Sequence, residues 1–148
     1  MTYERWEVAQ RERQYEMMLL NASKRWCWAC GRGERDVPPG WYGPFLIERA
    51  HIARKPRARD TRVVVLLCSC CHRTSHGDRI ILNGNRWPLP KLEVEHLLWL
   101  KFNRDRDQYD RPFIQSKTVR ILPNMIAPPK VYLDEYERRR GGVIVSCS

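Results

Sequence analysis

A small α+β fold is predicted by three observations. Two C-x-x-C pairs, Cys27/Cys30 and Cys68/Cys71, sit in a chain with little regular apolar periodicity. A half-polar run at 46–52 and a nearly all-apolar run at 63–67 read as two strands. A short segment at 71–76, stopped by Gly77, then reads as a helix. Together they give a zinc-stapled ββα unit with flanking N- and C-terminal helices.

Taken in order, residues 3–22 lack Gly and Pro and are rich in Glu, Arg, Gln, Met and Leu, which predicts a helix. Val8, Tyr15, Met18, Leu19 and Ala22 give it a loose apolar stripe for docking on the core. Residues 26–45 carry four glycines and three prolines, which excludes a long regular element there. Between the two strands lies a basic loop, ARKPRARDTR. Ile80 to Leu82 reads as a further short strand, and Asn83-Gly84-Asn85 as a turn. Lys91 to about Asn103 reads as a second helix, with Glu93 and Glu95 suited to its N-terminal dipole. From Arg104 the chain is charged and then Pro-rich, and reads as an extended arm. The expected organisation is an N-terminal helix over 1–24, a zinc-bound core over 25–87, a packing helix over 88–107 and the arm over 108–148.

A length of 148 residues suits one domain with appendages. The 27 Lys and Arg exceed the 17 Asp and Glu, and the net charge of +10 favours a polyanionic partner, most commonly nucleic acid. No apolar run is long enough to span a membrane, and the charged N-terminus does not suit a secretory signal. The expected compartment is therefore reducing and cytoplasmic, where paired cysteines serve metals rather than disulfides.

Zinc takes four ligands in tetrahedral array, and each C-x-x-C turn supplies two thiolates from one tight loop. Cys27, Cys30, Cys68 and Cys71 are thus the expected ligands of a structural zinc. Cys70 and Cys147 read as small buried residues. The six tryptophans, Trp26, Trp28, Trp41 and Trp99 among them, read as core filling, and His96 as structural.

The other three histidines surround the second knuckle. His51 ends the first strand, His72 follows Cys71, and His76 lies one helical turn later on the same face. An imidazole-bound ion that clamps a phosphate oxygen, beside a free imidazole that takes a proton from water, performs phosphodiester hydrolysis. The imidazole pKa of about 6.5 suits that task near neutral pH.

The sequences C-W-A-C, E-R-A-H-I and L-L-C-S-C-C-H-R-T-S-H-G carry a resemblance. The segment 27–77 resembles an HNH endonuclease of the ββα-metal (His-Me finger) class, in the form with a zinc knuckle. The resemblance implies that His51 is the general base and that His72 binds the catalytic ion. It implies that His76 is a further ligand or a phosphate contact. Two positions depart from the pattern. Ala50 stands where an Asp or His ligand is usual, and Val63 where an Asn is usual. Glu48 shares a strand face with Ala50, so Glu48 or His76 is the expected replacement ligand. Asp60 or Thr61 is expected to hold the loop in place of the Asn. Imidazole ligands admit Mg, Mn, Ni or Zn as the catalytic ion.

Arg49, Arg54, Lys55, Arg57, Arg59, Arg62 and Arg73 flank these histidines and suit contacts to a DNA or RNA backbone. The expected activity is metal-dependent endonucleolytic cleavage of DNA. The competing expectation is a catalytically impaired, zinc-stabilised nucleic-acid-binding module. A third is a structural zinc protein whose arms contact other proteins.

Overall fold

The computed structural model describes residues 2–7, 9, 10, 13, 25–53 and 60–141. Strand β1, Ile47–His51, pairs antiparallel with β2, Val64–Cys68, in a register that sets Ile47 opposite Cys68 and His51 opposite Val64. Every residue of β2 is buried, as its unbroken apolar sequence requires. Helix α1, Ser69–Ser75, leaves β2 without a loop. It starts two residues before the expected position because the Cys68 sulfur caps it, accepting from the Cys71 N–H at 3.4 Å.

A second, two-stranded antiparallel sheet follows: β3, Ile81–Leu82, and β4, Asn85–Arg86. Asn83 and Gly84 both have positive φ, 52° and 77°, as a two-residue hairpin turn of type I′ demands. Helix α2, Val94–Arg104, begins at Val94 rather than Lys91. His96 determines that start, since its Nδ1 accepts from the Glu93 N–H at 2.9 Å. His96 is structural, as expected.

The fold is therefore small α+β. The residues helical at 3–7, 9, 10 and 13 agree with the expected first helix. The rest of that helix, including Val8, Tyr15, Met18, Leu19 and Ala22, lies outside the described residues, as does Cys147.

The segment after Arg104 differs from an extended arm. It contains α3, Arg111–Ser116, then α4, Lys130–Tyr136, and a π-helical turn over Glu137–Gly141. Pro at the first turn of α3 and the Asp110 carboxylate, which accepts from the Phe113 N–H at 3.0 Å, start that helix. The Pro-rich stretch only spaces the two helices. The returning chain docks on the body: Tyr132 is fully buried and its hydroxyl donates to the Pro90 carbonyl at 2.5 Å.

The core joins β2 to Leu97, Leu98 and Leu100 of α2, with Ile114, Tyr132 and Trp28 closing it. Trp28 is 1% exposed, so it fills the core, while Trp26, Trp41, Trp87 and Trp99 pack partly buried around it. Among the described residues no helix is long and apolar enough to cross a membrane.

Candidate metal centre and histidine cluster

The first knuckle is irregular chain held to β2 by one backbone bond, Trp28 N–H to Leu66 carbonyl at 2.9 Å. That bond sets Cys27 and Cys30 over the end of β2, where Cys68 and Cys71 arrive from the strand and the first turn of α1. All four sulfurs are buried and lie within 4.8 Å of one another. The Cys30 and Cys68 sulfurs are 3.8 Å apart. Thiolates about 2.3 Å from a tetrahedral ion sit at about that separation, so the cluster fits zinc. Hydrogen bonds from Cys27, Cys68 and Cys71 hold the Cys30 thiol well below its ordinary range. Burial pushes Cys68 and Cys71 well above theirs. Cys70 stays outside the cluster as a buried thiol, pushed up to about 12 by desolvation.

Four thiolates around a dication leave a net negative site, and cations surround it. Burial alone would lower the Arg32 guanidinium, but the adjacent Cys30 sulfur, 3.9 Å away, leaves it raised. The C-terminal turn adds two more: Arg139 donates to the Cys30 carbonyl at 3.0 Å and Arg140 to the Gly31 carbonyl at 2.8 Å. Their counterpart in sequence is the Arg138-Arg139-Arg140 run, which gives no hint of its target.

The histidines occupy the other end of α1. His72 and His76, one turn apart, bring their Nε2 atoms to 3.1 Å. Two nitrogens each about 2.0–2.1 Å from one ion can take adjacent positions at this distance. The pair therefore fits a shared ion as well as a shared proton. On the opposite edge of the His72 ring, Nδ1 is 2.8 Å from Glu48 Oε1. Glu48 in turn accepts from the Ser69 hydroxyl at 3.0 Å. A carboxylate that accepts a hydrogen bond from Nδ1–H leaves the Nε2 lone pair facing outward, toward His76.

Glu48 thus meets the ring edge turned away from His76, which suits holding His72 rather than sharing its ion. Ala50, on the same strand face, is 2% exposed and offers no ligand. His51 lies on the alternate face with Ile47 and Arg49, exposed at the strand end. Among the described residues, only the cysteine cluster brings three or more ligand atoms within 4.8 Å of one another. The histidines and Glu48 form a chain of contacts instead.

Val63, at the position where an Asn is usual, is the last residue of a 3₁₀ turn, Thr61–Val63, and is fully buried. Asp60 caps this turn, accepting from the Arg62 N–H at 3.0 Å. The Thr61 hydroxyl donates to Gln108 Oε1 at 2.7 Å. Asp60 holds the loop by the local side-chain-to-backbone bond expected of it, whereas Thr61 does so through a distant side chain, Gln108. A third support was not legible in the sequence: the buried Lys101 ammonium donates to the Thr61 carbonyl and to Asp105 at 2.8 Å. Its i, i+4 spacing on α2 was the one available signal. The turn connects directly to His51, because Ile52 N–H donates to the Val63 carbonyl at 2.8 Å.

Of the cations expected at a phosphate backbone, Arg54, Lys55, Arg57 and Arg59 lie outside the described residues. Arg49 is exposed on β1, and Arg73 stands over the Trp41 ring at 5.0 Å. Arg62 is engaged within the fold. It pairs with Asp60 at 2.7 Å and stacks on Phe113 at 3.3 Å.

Comparison with family models, with curated proteins and with solved structures finds no match.

Proposed function

We propose that this chain is a metal-dependent nuclease that hydrolyses phosphodiester bonds in DNA. His72 and His76 hold one divalent ion, Mg, Mn, Ni or Zn, and His51 serves as the general base. The single observation that carries this reading is the Glu48–His72–His76 chain, with contacts of 2.8 and 3.1 Å. A carboxylate behind a ligating imidazole fixes its tautomer and orientation. When bound, the ion supplies charge for a phosphate oxygen in the transition state.

The residues divide the remaining work. Glu48 holds the His72 ring so that Nε2 faces outward. His51, exposed at the end of β1 on the face opposite Glu48, would take a proton from the attacking water. The 3₁₀ turn and its backbone bond to Ile52 limit how far that strand end can move. Arg49 and Arg73 attract the phosphate backbone, and the net charge of +10 raises the encounter rate with a polyanion.

A second reading rests on Ala50, which leaves the ion one ligand short of the usual set. In that reading the zinc fold and the cations bind nucleic acid without cutting it. Plasmid nicking across a panel of divalent ions, with wild type, His51→Ala and His72→Ala, separates the two. The nuclease reading expects cleavage by wild type and a loss of about 10²–10⁴-fold in His51→Ala. Binding without cleavage under every ion would replace it with the binding module.

A further inference from the structure

Directly after His76 the surface folds into a cavity of about 190 Å³. Thr74 and Gly77 at the end of α1 form one side, and Arg79, Arg86, Trp87 and Lys91 around the β3–β4 hairpin form the other. Its size is below the roughly 300–1,000 Å³ of sites that engulf a whole drug-sized ligand, so it suits a fragment of a longer molecule. The buried side chains of Ile80 and Leu89 also line it.

Its charge is lopsided. Three cations, Arg79, Arg86 and Lys91, face one carboxylate, Asp78. Neither Arg79 nor Arg86 has an ion-pair partner among the described residues, and both are exposed. Lys91 reaches only Glu93, at 3.9 Å, with both side chains about half exposed. By contrast, most of the arginines in the hollow beside the first knuckle are paired within the fold, Arg25 with Glu34 at 3.0 Å, Arg140 with Asp36 at 3.8 Å and Arg139 with Glu135. Unspent positive charge at the hairpin calls for an anion from outside.

The cavity also has an aromatic wall. Arg32 stands over the Trp87 ring at 5.0 Å, and the Trp87 indole N–H is buried without a hydrogen-bond partner. A cationic rim, an aromatic wall and room for one fragment match a nucleotide of a strand: phosphate on arginine, base against a ring.

We propose that this cavity is a nucleotide subsite, in which Arg79 and Arg86 hold the backbone phosphate of a nucleic-acid strand next to the His72–His76 pair. The proposal rests on the nuclease reading only for the identity of the polyanion. The β3–β4 hairpin then sets the path of the strand past the histidines. It does so independently of the basic loop between β1 and β2.

Zinc-loaded protein, without other divalent ions, is titrated against fluorescently labelled single-stranded and duplex DNA by anisotropy across a salt series. Wild type is compared with Arg79→Ala/Arg86→Ala and with Arg35→Ala/Arg120→Ala, which removes the same charge outside the cavity. The expected result is a double-logarithmic salt slope shallower by about two in the cavity variant only. Equal slopes in the two variants, or no binding by wild type, would overturn the subsite. Weakened binding in the cavity variant, together with no cleavage by wild type under any ion, keeps the subsite and discards the nuclease. Cleavage by wild type with unchanged binding in the cavity variant does the reverse.

Discussion

Replacing Lys101 by Met removes a fully buried ammonium and breaks its 2.8 Å ion pair with the Asp105 carboxylate, itself 3% exposed. Burying a charge whose partner has been removed costs about 3–5 kcal/mol. The Thr61 carbonyl also loses a donor, which adds about 1–3 kcal/mol if water does not replace it. Against a typical domain stability of about 5–15 kcal/mol, the single substitution should bring the fold near its limit. The double substitution Lys101→Met/Asp105→Leu removes both charges of this ion pair together. It should therefore be more stable than the single by at least about 2 kcal/mol. Urea unfolding of the zinc-loaded proteins at one fixed zinc concentration measures both. Hydrogen exchange at the Ile52 amide, bonded to the Val63 carbonyl, reports whether the 3₁₀ turn loosens. Equal destabilisation by the single and double substitutions would refute the reasoning, since the carboxylate would then not feel the loss of its partner.

Stripping the metal with a strong chelator should unfold the core, because structural zinc contributes apparent binding energies of about 10–16 kcal/mol to small domains; circular dichroism against released zinc checks this. Cys30→Ser should lower the zinc affinity, read by competition with a chromogenic chelator, whereas Cys70→Ser should not. Glu48→Gln should weaken binding of a second divalent ion by about 10–100-fold by titration calorimetry, and an unchanged affinity would remove Glu48 from the site. Gly40→Ala should cost more than Gly43→Ala in thermal unfolding. Both glycines have positive φ, but a Cβ at Gly40 would lie 2.8 Å from the Asn83 backbone nitrogen, while one at Gly43 meets nothing.

The sequence was most legible where local chemistry dictates structure. Two C-x-x-C turns admit few arrangements, and the structure gathers the four cysteines into one cluster. The all-apolar VVVLL run had to be buried on both faces, and Asn83-Gly84 had to turn. Strand and helix limits shifted by a few residues where side chains acted as caps, as Cys68 and His96 do. The histidine pair on α1 followed from its i, i+4 spacing. The contact between Glu48 and His72 depends on the β1–β2 register and on α1 crossing that sheet, and neither is written locally. The helices after Arg104 escape the sequence for the same reason. Its helices are short, and α4 is stabilised by burying Tyr132 against distant chain rather than by its own propensity.

The same docking orders events during synthesis. Arg139 and Arg140 close over carbonyls of the first knuckle, more than a hundred residues earlier in the chain. Roughly 70 residues separate the last cysteine of the cluster from these arginines, so at about 5–20 residues per second the four thiols exist for seconds before the cover can arrive. Metal capture during translation thus meets an open cluster. Metal exchange in the finished protein is then expected to be slowed by α4 and its turn, which bond the first knuckle. Loading and loss then follow different routes, and the C-terminal helix acts as a one-way latch in time.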